Sequence, residues 1–95
     1  MDDRTKLSDE EIQKRLEAMP GWRADGDTLR RDYVFKDFLA AFGFISQVAL
    51  LAERHDHHPE IWNVWNQVKV GWSTHDSGGI TATDFRLAQA CDEAA

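Results

Sequence analysis

The stretch Ile61-Trp62-Asn63-Val64-Trp65-Asn66-Gln67-Val68-Lys69-Val70-Gly71-Trp72 decides the fold. Its β-branched and aromatic residues suit a pleated, half-buried surface. As one strand it would be about twice the usual length of 5 to 6 residues, so it reads as a hairpin turning at Asn66-Gln67. A hairpin brings its two outer ends to the same side of a sheet. The segments before residue 61 and after residue 72 are therefore expected to be neighbours.

Working outward, Asp37 is a good N-cap for a helix running to about Glu53 or Arg54. Phe38, Phe42, Ile45, Ala49 and Ala52 form its apolar stripe, which Leu39, Phe44, Val48 and Leu51 widen. That is more apolar surface than one sheet face covers, and a second helix or another subunit would bury the remainder. On the other side, Gly78-Gly79 closes a loop. Ile80, Thr81, Asp84 and Phe85 then repeat a staple-and-cap pattern and open another helix, with Asp84 satisfying backbone amides at its start. Asp92-Glu93-Ala94-Ala95 reads as a frayed tail.

Nearer the N-terminus, Ser8 and Glu11 form a Ser-x-x-Glu capping box flanked by Leu7 and Ile12 as a hydrophobic staple. Leu16 and Met19 continue the helical spacing, and Pro20-Gly21 ends it. Trp22-Arg23-Ala24 and a run from Thr28 to Phe35 follow, separated by Asp25-Gly26-Asp27, a strong hairpin signal. Leu29, Arg31, Tyr33 and Phe35 share one face, whose mixed polarity suggests partial cover. The order is α-β-β-α-β-β-α. It implies an α+β, two-layer domain over residues 1–95, with a four-stranded antiparallel sheet and three helices on one face.

A chain of 95 residues is one domain, and its four Trp and five Phe supply apolar area for a small core. A net charge of −6 repels phosphate backbones and anionic lipid, so nucleic acid and membrane are poor partners. A single cysteine, Cys91, excludes an internal disulfide and any multi-cysteine zinc site. No apolar run approaches the roughly 18 residues of a membrane span. Met1-Asp2-Asp3-Arg4 lacks the basic and then apolar regions of a secretory signal. The expected compartment is the cytoplasm.

All four histidines lie at positions 55 to 75. His55, His57 and His58 precede the hairpin and His75 follows it, so the two loops converge. Imidazole titrates near pKa 6.5 and can donate or accept a proton at neutral pH. Several imidazoles in one pocket can supply both an acid and a base without a metal. Pro59 holds His58 extended and stiffens the loop. Metal binding is the competing reading, because Asp56, Asp76 and Glu53 lie close by. Against it, the helical His-Glu-x-x-His spacing is missing and the adjacent His57 and His58 would have to diverge. His55 reads as a solvated helix-end residue suited to the dipole. Trp62, Trp65 and Trp72 read as sheet and core packing. Trp22 opens the first strand, where a planar ring could form a pocket wall.

Glu53-Arg54-His55-Asp56-His57-His58-Pro59-Glu60, then Trp62-Asn63-Val64, Ser73-Thr74-His75 and Asp84, resemble the signature of the pterin-4a-carbinolamine dehydratases. That pattern is an acidic residue, three others, His-His-Pro, a spaced aromatic, a later His and a final Asp. The resemblance extends to the first helix, to Gly21-Trp22 and to the third helix. It implies dehydration of 4a-hydroxytetrahydropterin to quinonoid dihydropterin in tetrahydrobiopterin recycling, with no metal or organic cofactor. Under it, His57, His58 and His75 match active-site histidines. Pro59, Thr74 and Asp76 match pterin-contacting positions, and Trp22 an aromatic at the site's edge. Glu53 and Asp84 match supporting positions. Family members also assist dimerisation of a transcription factor, so a homodimer, a homotetramer or a protein partner is expected on residues 37 to 54.

Overall fold

The capping box forms as read: Ser8 Oγ accepts from the Glu11 amide at 3.2 Å, and Glu11 accepts from the Ser8 amide at 3.0 Å. It opens α1 (Asp9–Glu17), which buries Ile12. Strands β1 (Arg23–Asp25) and β2 (Thr28–Val34), helix α2 (Phe38–His55), strands β3 (Glu60–Val64) and β4 (Gln67–Trp72), and helix α3 (Ala82–Ala94) follow. The order matches the expected one, with a 3-10 turn at His75–Ser77 added. The computed structural model describes residues 3–95, and Met1 and Asp2, which open the N-terminal reading, lie outside the described residues.

The sheet is antiparallel throughout, with strand order β1-β2-β4-β3. In the first hairpin Asp25 pairs with Thr28. The loop is therefore Gly26-Asp27, with Gly26 supplying the positive φ of 61° that a tight hairpin turn needs. In the second, Val64 pairs with Gln67, so the turn is Trp65-Asn66, one residue earlier than expected. Side-chain hydrogen bonds explain the register. Asn63 Nδ2 donates to the carbonyls of Trp65 and Gln67 at 3.2 and 2.8 Å. Asn66 is tied to the end of β2, its Nδ2 donating to the Phe35 carbonyl and its carbonyl accepting from the Phe35 amide, both at 2.9 Å. Trp65 is left with a φ of 49°, an uncommon conformation for a bulky side chain.

Leu29, Tyr33, Val68, Val70 and Trp72 form the covered face of the sheet. Against it lie Ala41, Phe44, Val48 and Ala52 of α2 and Phe85, Leu87, Ala88 and Cys91 of α3. Three expectations change here. The buried stripe of α2 is Ala41-Phe44-Val48-Ala52, while Phe38 and Phe42 are exposed, so the surplus apolar surface falls on them and on Leu39 and Leu50. Of the three tryptophans, only Trp72 is core. Trp62 alternates onto the sheet face that carries no helix, beneath the Lys69 ammonium at 4.9 Å, and Trp65 is a turn residue 63% exposed. The tail is not frayed, because α3 continues to Ala94. Asp92 anchors it, accepting from Trp22 Nε1 at 3.0 and 3.1 Å, Arg31 Nη1 at 3.2 Å and Tyr33 Oη at 2.5 Å. The same contact explains the mixed polarity of β2: Arg31 shares the covered face but is balanced there.

Candidate active site

Helix α2 ends where Asp56 turns left-handed, at φ 49° and ψ 48°. The His57 amide is then captured by the Ala52 carbonyl at 3.0 Å, a helix-closing bond that sends the chain off the axis. Pro59 excludes helical backbone at His58, and β3 starts at Glu60. Glu60 lies opposite Gly71, so His57-His58 and the segment after Trp72 leave the same end of the hairpin. The second loop is closed by the Thr74 amide on the Gly79 carbonyl at 3.1 Å. Gly78, at φ 78°, reverses the chain there.

Between the loops is a cavity of about 200 Å³ lined by His57, His58, Thr74, His75 and Asp76. Arg4, Asp56 and Ser73 complete the lining. Of these, the sequence names Asp56 only as a possible neighbour of a metal and Ser73 only as part of the quoted motif. Arg4 had no signal. It arrives because the N-terminal segment is strapped over α3, with Lys6 bridged to Thr81 and the Leu7 amide on the Ile80 carbonyl at 2.9 Å. A larger concavity of about 810 Å³, bordered by Arg15, Met19, Phe85 and Arg86, holds no histidine. The histidines line the smaller one.

Two of the imidazoles are held by carboxylates. His57 Nε2 lies 2.7 Å from Asp84 Oδ1, both side chains buried. Asp84 Oδ2 accepts from Thr74 Oγ1 and from the Thr81 amide, each at 2.9 Å. Asp84 thus keeps its expected role at the helix start and adds a grip on the cavity from beneath. His58 Nε2 lies 2.8 Å from Glu53 Oε2, both exposed. A carboxylate only accepts, so each pair puts the hydrogen on Nε2 and leaves Nδ1 as the nitrogen free for exchange. His75 has no hydrogen-bonding side-chain partner among the described residues. The His57 ring also lies against Trp72, with centroids 5.9 Å apart and planes 13° from parallel.

Ser73 Oγ is buried at the cavity without a hydrogen-bond partner among the described residues, a situation that ordinarily costs about 1 to 3 kcal/mol. Pro59 does not line the cavity but governs His58. Trp22 does not line it either: it is buried, with its indole N–H on Asp92. His55 turns back onto its own helix, Nδ1 lying 3.0 Å from the Leu51 carbonyl. Among the described residues, no group of three or more His, Cys, Asp or Glu side chains is gathered as for a metal ion.

A family model described as pterin 4 alpha carbinolamine dehydratase matches residues 5–94. The chain is 52% identical over 87 residues to a protein of Rhodopseudomonas palustris (strain BisB18) named "Putative pterin-4-alpha-carbinolamine dehydratase", covering 90% of this chain and 86% of that one. It superposes on the solved transcriptional coactivator/pterin dehydratase from Brucella melitensis with a TM-score of 0.92 and 39% identity, over 96% and 99% of the two chains. A pterin dehydratase-like protein described as a RuBisCO assembly factor in the alpha-carboxysome shares the fold, with a TM-score of 0.67 and 21% identity over 78% and 88% of the chains. With a match that encloses α1, both histidine loops and α3, the chain belongs to the pterin 4 alpha carbinolamine dehydratase family.

Proposed function

We propose that the protein removes water from a 4a-hydroxytetrahydropterin to give the quinonoid dihydropterin, in recycling of tetrahydrobiopterin. The observation that carries this is the meeting of His57, His58 and His75 from two loops in one cavity, with two of them gripped by carboxylates. In the substrate, the N5 lone pair pushes out the hydroxyl on C4a. The C4a–O bond breaks, an imidazolium gives its proton to the departing oxygen, and the product is water. A neutral imidazole takes the proton released from the ring, so one proton is supplied and one recovered. Positioned acid–base groups of this kind are worth about 10²- to 10⁴-fold in rate.

His57 and His58 exchange protons through Nδ1 in this scheme, while His75 has either nitrogen available. Thr74 and Asp76 contact the pterin, and the unpaired Ser73 hydroxyl gains a polar partner when it binds. Pro59 fixes His58, Asp84 and Glu53 orient the imidazoles, and Trp22 belongs to the frame around Asp92. The scheme draws on no metal or organic cofactor. His75→Ala is expected to lower kcat about 10²- to 10⁴-fold with an unchanged circular dichroism spectrum. Turnover near that of the parent protein would remove His75 from the mechanism.

A second reading rests on a separate observation. Phe38, Leu39, Phe42 and Leu50 are exposed along α2, a surface suited to self-association as a homodimer or homotetramer, or to assisting dimerisation of a transcription factor. The proposed setting is the cytoplasm; among the described residues no helix is long and apolar enough to cross a membrane. A dehydration assay run beside a solution mass measurement separates the two readings. An inactive protein that binds pterin poorly supports the interaction module.

A further inference from the structure

We propose that Trp72 is the positioning residue for His57, fixing the plane of its imidazole. The Asp84 bond alone leaves the ring free to swivel about the Nε2–Oδ1 line. A second constraint is needed to fix a plane, and the Trp72 indole, 13° from parallel, supplies it. Trp72 is itself immobile: it is fully buried at the end of β4 and paired across the sheet with Leu29. Among the described residues its indole N–H has no partner of ordinary hydrogen-bond geometry, and it interacts with the Cys91 sulfur, a weak acceptor. Phe or Leu would fill apolar space without burying that donor. The indole's use is therefore its wide plane, which runs nearly parallel to the imidazole with the ring centres 5.9 Å apart. Asp84 from α3 bonds the same ring, and Arg4 from the N-terminal segment, Asp56 at the end of α2, and His58, His75 and Asp76 line the cavity beside it, so the test leaves the other charged groups in place.

Only the rate measurement rests on the dehydratase reading. Trp72→Leu is expected to lower kcat about 10- to 100-fold with KM unchanged, the signature of a misplaced group. Trp72→Phe, which keeps a smaller face, recovers most of the loss. In the free protein, tryptophan emission falls on acidification as His57 gains a proton. That transition disappears in His57→Gln and in Trp72→Phe. A folded Trp72→Leu variant with the parent kcat and pH profile overturns the proposal, as does an unchanged transition in His57→Gln. Should Trp72→Leu fail to fold, Trp72→Phe and the emission titration decide. A protein that shows the His57-dependent transition but no turnover sustains the stack and sinks the dehydratase reading.

Discussion

His57 with Asp84 and His58 with Glu53 are chemically the same pair, and their Nε2–oxygen distances differ by little, 2.7 against 2.8 Å. Their surroundings are opposite. The first pair is 5% and 0% exposed, the second 59% and 78%. Water screens the exposed pair, leaving an interaction worth about 0 to 1 kcal/mol. The buried pair has given up its hydration, so each partner depends on the other and on Thr74 and Thr81. Equal geometry therefore carries unequal consequence: one pair is a fixed anchor, the other a light steering contact.

Removing the buried carboxylate should break this contrast most visibly. Asp84→Ala strands the His57 Nε2–H and the Thr81 amide in the core. We expect a loss of about 3 to 5 kcal/mol, or about 12 °C or more in melting temperature for a domain of this size, measured by thermal unfolding. A melting temperature within two or three degrees of the parent's (about 0.5 kcal/mol) would mean that the network carries far less than its burial implies.

An intermediate effect comes from the core beneath the same site. Burial pushes the Cys91 thiol up to about 11 from its ordinary 9.0. Burial, followed by the hydrogen bond to Asp92, also raises the Tyr33 phenol. Groups raised by folding contribute fully below their unfolded values and lose that contribution as pH rises through the folded ones. Denaturant unfolding should accordingly show stability falling between pH 9 and 11 by about 3 kcal/mol, with a Cys91→Ala variant keeping only the smaller Tyr33 part. Flat stability across that range would contradict the burial argument.

The smallest effect belongs to the exposed pair. Glu53→Gln should change stability by less than about 1 kcal/mol. Any change in turnover should shrink near 1 M salt, where the screening length is about 3 Å. A loss as large as that of Asp84→Ala would erase the distinction between the two pairs.

Much of this arrangement was legible in the chain. The caps at Ser8 and Asp37 are local, since a side chain a few residues away satisfies a backbone amide, and both were placed correctly. The helix-strand order followed from periodicity. The convergence of the histidine loops followed from one topological step, a hairpin between them. What failed depended on contacts distant in sequence. Asp92 reads as tail polarity until the sheet delivers Trp22, Arg31 and Tyr33 to it, from 59 to 70 residues away. Trp62 reads as core until strand alternation turns it onto the face that carries no helix. The turn at Trp65-Asn66 was set by Asn66 binding Phe35, 31 residues earlier. On α2, several apolar faces compete, and only the docked sheet selects Phe44 and Val48 over Phe38 and Phe42.

By itself the sequence determined the element types, their order and the pairing of the two histidine loops, because each depends on neighbouring residues or on a single turn. Tertiary structure alone decided that Asp84 lies beneath His57, that Trp72 lies along its ring, and that Arg4 and Ser73 reach the cavity. Burial and orientation are properties of the packed layers. A residue's identity fixes what its side chain can do, and the fold fixes whether water, a carboxylate or an indole stands beside it when it does.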